Sequence, residues 1–65
     1  MVRAIYQGME ILSSGLYKYK ILYRGRQYAY FSKVNEFPDL KEGSRINCIR
    51  SYSLGNEVQL KIIKG

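Results

Sequence analysis

Residues 16–34, LYKYKILYRGRQYAYFSKV, alternate apolar and aromatic side chains with polar ones on both sides of a single glycine, Gly25. Enrichment in Tyr, Ile, Phe and Val, a period of two and a turn residue at the midpoint together predict a β-hairpin. A two-residue loop is either Arg24-Gly25 or Gly25-Arg26, because both primed turns need a residue that tolerates positive φ. In the first register Ile21 faces Tyr28 and Tyr19 faces Tyr30. In the second, Tyr23 faces Tyr28 and Ile21 faces Tyr30. Both put Tyr17, Tyr19, Ile21, Tyr23, Tyr28 and Tyr30 on one face and Leu16, Lys18, Lys20, Leu22, Ala29 and Phe31 on the other, since cross-strand partners share a face. A three-residue loop with a bulge would instead set Tyr28 and Tyr30 beside Leu22 and Lys20.

The same stretch concentrates the charge. It holds five of the seven tyrosines and five of the eleven basic residues, and no acid lies between Glu10 and Glu36, so Lys18, Lys20, Arg24, Arg26 and Lys33 carry +5 of the net +6. An excess this local, with a pI near 9.7, implies an acidic partner: nucleic acid first, then an anionic membrane surface or an acidic protein patch. With no histidine the charge stays nearly constant across physiological pH, which argues against a pH switch.

Sixty-five residues allow one domain, residues 1–65, and leave its stability in question, because a chain of this length buries only about 60% of its unfolded surface. Disulfides within the chain and a structural zinc are both excluded by a single cysteine, Cys48, and no histidine. An efficient barrel, dimerisation or a bound partner is left to stabilise it. Cys48, in a strand pattern, reads as a small buried apolar residue and suits a reducing interior. The apolar run after Arg3 is broken by Gln7, Gly8 and Glu10, so neither a signal peptide nor a membrane span is expected, and the chain reads as cytoplasmic.

Along the rest of the chain, MVRAIYQGMEIL at the start reads as a first strand with Val2, Ala4 and Tyr6 on one side. Gly8 in its middle marks a bulge or bend. Ser13-Ser14-Gly15 is a turn into the hairpin. Residues 35–43, NEFPDLKEG, hold the sole proline, and Pro38 with Gly43 frames a single helical turn that tucks Phe37 and Leu40 onto the core. RINCIRSY forms a fourth strand with Ile46, Cys48, Arg50 and Tyr52 on one face. A turn follows at Ser53-Leu54-Gly55-Asn56, and then a fifth strand in which Val58, Leu60 and Ile62 alternate with Gln59, Lys61 and Ile63. No repeat or heptad is present.

Five short strands with almost no helix predict an all-β, five-stranded antiparallel barrel, since closure hides the sheet edges. The insert between the third and fourth strands and a long bent first strand favour an OB-fold-like barrel over the alternative, an SH3-like barrel.

Gln27-Tyr28-Ala29-Tyr30-Phe31 resembles the aromatic-small-aromatic core of the RNP1 motif of RRM and cold-shock domains, over about five residues. The motif's basic-Gly pair is displaced here, with Arg24-Gly25 two residues early. That resemblance implies a barrel that stacks bases, with Tyr28 and Tyr30 exposed.

Tyrosines interleaved with cations supply what single-stranded nucleic acid requires, a π-surface for bases and charge for phosphates. The expected stacking residues are Tyr17, Tyr19, Tyr23, Tyr28 and Tyr30. Lys18, Lys20, Arg24, Arg26 and Lys33 are the expected phosphate contacts, and Arg50 and Tyr52 extend the surface. The competing reading makes some of these tyrosines core, because a small barrel needs bulky side chains inside. Catalysis is the weakest class: paired carboxylates, a phosphate loop and histidine are all missing, and no cofactor, metal or small-molecule substrate is expected. The expected function is binding of single-stranded DNA or RNA with little sequence preference, as a monomer or homodimer. The alternatives are a protein-interaction or inhibitor module docking an acidic partner, and a duplex-DNA-coating or ribosome-associated protein.

Overall fold

The computed structural model describes residues 1–52 and 58–63, so the turn expected at 53–56 lies outside the described residues. Five strands run in chain order: β1 Val2–Ile11, β2 Tyr17–Tyr23, β3 Arg26–Ser32, β4 Arg45–Tyr52 and β5 Val58–Ile62. All pairings are antiparallel and the sheet order is β3-β2-β1-β4-β5. Because β4 returns to β1 rather than to β3, the sheet is not a simple meander. It curls until β3 and β5 approach each other, giving a nearly closed, OB-fold-like barrel. No helix among the described residues is long and apolar enough to cross a membrane.

The hairpin takes the first of its possible registers. Arg24 and Gly25 adopt φ of 50° and 75°, the double positive-φ signature of a primed two-residue turn, and Ile21 pairs with Tyr28 and Tyr19 with Tyr30. Period two then decides the rest. The tyrosine face is the inside of the barrel, and Lys18, Lys20, Leu22, Gln27, Ala29 and Phe31 form its outer face.

β1 is shared between two partners, with Ile5–Ile11 pairing with β2 and Val2–Ile5 with β4. It changes course at a bulge where the register slips between Tyr6 and Gly8, and Gly8 holds φ of 112°. A side chain there would be strained by that φ, and its Cβ would lie 2.6 Å from Glu42 Oε1. One glycine thus lets a single strand serve both halves of the barrel.

Ala4, Tyr6, Tyr19, Ile21, Ile46, Cys48, Leu60 and Ile62 make up the core, with Cys48 fully buried as a small apolar residue. Burial holds the Cys48 thiol above its ordinary pKa and so in its neutral form. The segment between β3 and β4 departs from expectation: no helical turn forms. Phe37 and Leu40 do pack onto the core, but a tight turn across Pro38-Asp39 brings them there, closed by the Leu40 N–H donating to the Phe37 carbonyl at 3.3 Å. Pro38 has the φ that a β-turn's second position needs, so the proline serves a turn as readily as a helix start. Gly43 then donates to the Tyr6 carbonyl at 2.7 Å and Tyr6 to the Ser44 carbonyl at 2.8 Å, which pins this segment across the bulge.

Candidate nucleic-acid interface

At its β2-start, β3-end half, the hairpin's inner face is sealed. Tyr19 has no exposed surface. Its ring stacks with Tyr30 at 5.9 Å, meets Phe37 edge-on at 5.5 Å and lies 6.3 Å from Tyr6. Its hydroxyl donates to Asn35 Oδ1 and accepts from the Glu36 N–H, both at 2.9 Å, so the polar atom is satisfied inside the core. Tyr30 donates to Glu36 Oε2 at 2.7 Å. That hydrogen bond, helped by burial and the nearby carboxylate charge, pushes the Tyr30 phenol up to about 12.

These contacts correct part of the sequence-based site. Tyr19 is core and has no face for a base. Tyr30 and Tyr17 are half-buried against the core, with Tyr30 also tied to the 35–37 segment. Tyr28 and Tyr30, the aromatics of the RNP1-like run, point into the barrel, and the outward aromatic of that run is Phe31, 47% exposed. The cause is parity. In this register the pair shares a face with Tyr19 and Ile21, which the core claims.

Lys18 and Lys20 lie half-buried on the outer face opposite Phe31 and Ala29, and Lys33 is exposed just beyond β3. In OB-folds the β2–β3 face is a usual oligonucleotide platform. Here it presents two lysines and one ring, so the hairpin's lysines and its tyrosines occupy opposite faces.

Among the described residues, rings and cations meet at the hairpin tip. Tyr23 and Tyr28 have ring centroids 6.4 Å apart, and the guanidinium carbons of Arg24 and Arg50 sit 5.4 and 5.7 Å from the Tyr23 ring centroid. Arg50 also donates from Nη2 to the Tyr23 hydroxyl at 3.1 Å, and this contact holds its guanidinium above the ordinary pKa range. Together with Arg26, Tyr52, Val58 and Leu60, these groups line a cleft of about 310 Å³ between the β2–β3 tip and the β4–β5 arm. Six of the twelve expected site residues, Tyr23, Arg24, Arg26, Tyr28, Arg50 and Tyr52, come together here.

Two more clefts adjoin the first through Tyr23 and Arg24. One is lined by Arg3, Leu22 and Arg45 and the other by Arg3, Ile49 and Arg50. Every arginine in the chain, Arg3, Arg24, Arg26, Arg45 and Arg50, therefore lines one of these adjoining clefts, while no lysine among the described residues does. No acidic side chain is among the described residues lining the three clefts. Arg3 and Arg45 were absent from the sequence-based site. They reach it through the sheet, where Ile5 pairs with both Arg45 and Leu22, and no local pattern signals that. The only available signal was the return of β4 to β1.

This end defines a class: a small basic barrel with an arginine-tyrosine rim. No family model matches the chain, nor does any curated protein or solved structure.

Proposed function

We propose that the protein binds single-stranded DNA or RNA without catalysis and with little sequence preference, through the arginine-tyrosine end of the barrel. One observation carries this reading: all five arginines line three clefts that share Tyr23 and Arg24, with no acid among the described residues there. Arginine's planar fork suits phosphate, and tyrosine faces suit any base. Binding is therefore expected to follow backbone and stacking rather than base identity. A barrel of 26 × 26 × 21 Å offers a short path, so the footprint is a few nucleotides, at the low end for barrels of this kind. The lone buried thiol suits a reducing cytoplasm.

Titration with short oligonucleotides at several salt concentrations, followed by tyrosine fluorescence, tests the proposal. Five phosphate contacts give a slope of log K against log salt of about −3.5 for single strands. Absent binding, or binding indifferent to salt, rejects it, and tighter binding to duplex transfers the site to the duplex-coating alternative.

A second reading rests on a distinct observation: exposed apolar side chains lie at the same end, with Met1 83%, Ile49 46%, Tyr52 70% and Val58 40% exposed. Apolar groups rimmed by arginine also fit an acidic protein partner. Capture of a partner that survives nuclease treatment and resists competition by oligonucleotide favours this reading.

A further inference from the structure

The cleft between the two hairpins is more specific than a charged surface. Its lining combines two apolar side chains, Leu60 and Val58, with three tyrosines, Tyr23, Tyr28 and Tyr52, and three arginines, Arg24, Arg26 and Arg50. At about 310 Å³ it lies at the bottom of the range for ligand pockets, enough for one base with part of its sugar. Arg50 is not free-swinging: one N–H is spent on the Tyr23 hydroxyl at 3.1 Å while its plane lies over the ring. A guanidinium has five donors in a rigid fork, so four remain on a group that lines the cleft.

We infer that this cleft is a one-nucleotide site, which takes an unpaired base against its tyrosines and apolar lining and the attached phosphate on Arg50, with Tyr23 as the positioning residue that holds Arg50 in place. The inference rests on the nucleic-acid reading and sharpens it, since a base must leave its helix to enter, and this cleft is then the source of a preference for single strands. The ligand class is a nucleoside 5′-phosphate, whether free or as one residue of a strand. Fixing the arginine in advance reduces the ordering cost of binding phosphate.

The test uses the full chain in calorimetric titrations at low salt. The probes are adenosine, adenosine 5′-monophosphate, inorganic phosphate, an oligothymidylate and the same sequence as duplex, with each small molecule also used at millimolar concentration to displace the oligothymidylate. The expected result is that the monophosphate binds and displaces the strand, and that adenosine and phosphate are each at least about tenfold weaker, because each makes only half of the contacts. Tyr23→Phe keeps the ring and loses the acceptor. It is expected to weaken the monophosphate about three- to tenfold more than it weakens adenosine, the worth of one hydrogen bond.

Equal losses for adenosine and the monophosphate in Tyr23→Phe overturn the positioning role. If the oligothymidylate binds but the monophosphate neither binds nor displaces it, the one-nucleotide site falls and the broader reading stands. If no strand binds, both fall.

Discussion

Tyr19 and Tyr23 lie four residues apart on one strand, on the same face, and are the same amino acid, yet one is sealed in the core and the other borders an open cleft. The facing tyrosines of β3 repeat the contrast: Tyr30, opposite Tyr19, is hydrogen-bonded to Glu36, while Tyr28, opposite Ile21, lines the cleft beside Tyr23. What differs is the opposite wall. At the Tyr19 end the segment carrying Asn35, Glu36 and Phe37 folds over the rings and satisfies their hydroxyls. At the Tyr23 end the neighbours are guanidiniums, which contact ring faces without excluding water. A tyrosine in a small barrel is thus structural or available according to what the chain returns to cover it.

The largest expected effect is on stability. Tyr19→Ala should cost about 3–5 kcal/mol, close to the whole stability of a domain this size, whereas Tyr23→Ala should cost about 1 kcal/mol or less. Urea unfolding of the two variants side by side checks this, and equal losses would erase the contrast between the two ends.

Binding should show the reverse order. Tyr23→Ala is expected to lose about 1–3 kcal/mol of oligonucleotide affinity, the typical worth of one stacked base. Tyr30→Phe is expected to lose none, because its hydroxyl faces Glu36 rather than the cleft. Fluorescence titration separates them.

A smaller effect distinguishes the two kinds of cation. Arg50→Ala should reduce the salt slope of single-strand binding by about 0.7, one phosphate contact, while Lys20→Ala on the outer face should leave it unchanged. A larger change for Lys20→Ala would move the binding surface to the conventional β2–β3 platform.

A further effect is confined to alkaline pH. The Tyr30 phenol titrates in the folded protein at about 12 against an ordinary value of 10.0, so the folded state holds its proton more tightly than the unfolded chain. Its contribution is complete below pH 10.0 and is lost as pH rises toward about 12. Stability measured across that window should fall less steeply in Tyr30→Phe than in the unchanged chain.

Much of the architecture was legible from local pattern, because a strand's two faces are written at period two. The hairpin, the bulge at Gly8 and the inward sets Ile46 with Cys48 and Leu60 with Ile62 were all readable in that way. The segment at 37–40 misled because proline followed by polar residues frames a β-turn and a helix start alike. The site was half legible for a related reason. Alternation shows that Tyr17, Tyr19, Tyr23, Tyr28 and Tyr30 share a face but not which end of it Phe37 will cover. The arginine rim depends on β4 pairing with β1, a contact between residues more than forty positions apart, such as Val2 and Cys48.

The most direct test is a map of backbone amide shifts in NMR spectra as a short oligothymidylate is added. Shifts concentrated at Tyr23, Arg24, Arg26, Tyr28, Arg50 and Tyr52, with Arg3 and Arg45 following, are the expected result. Shifts centred instead on Lys18, Lys20 and Phe31, with the arginine end silent, would contradict it.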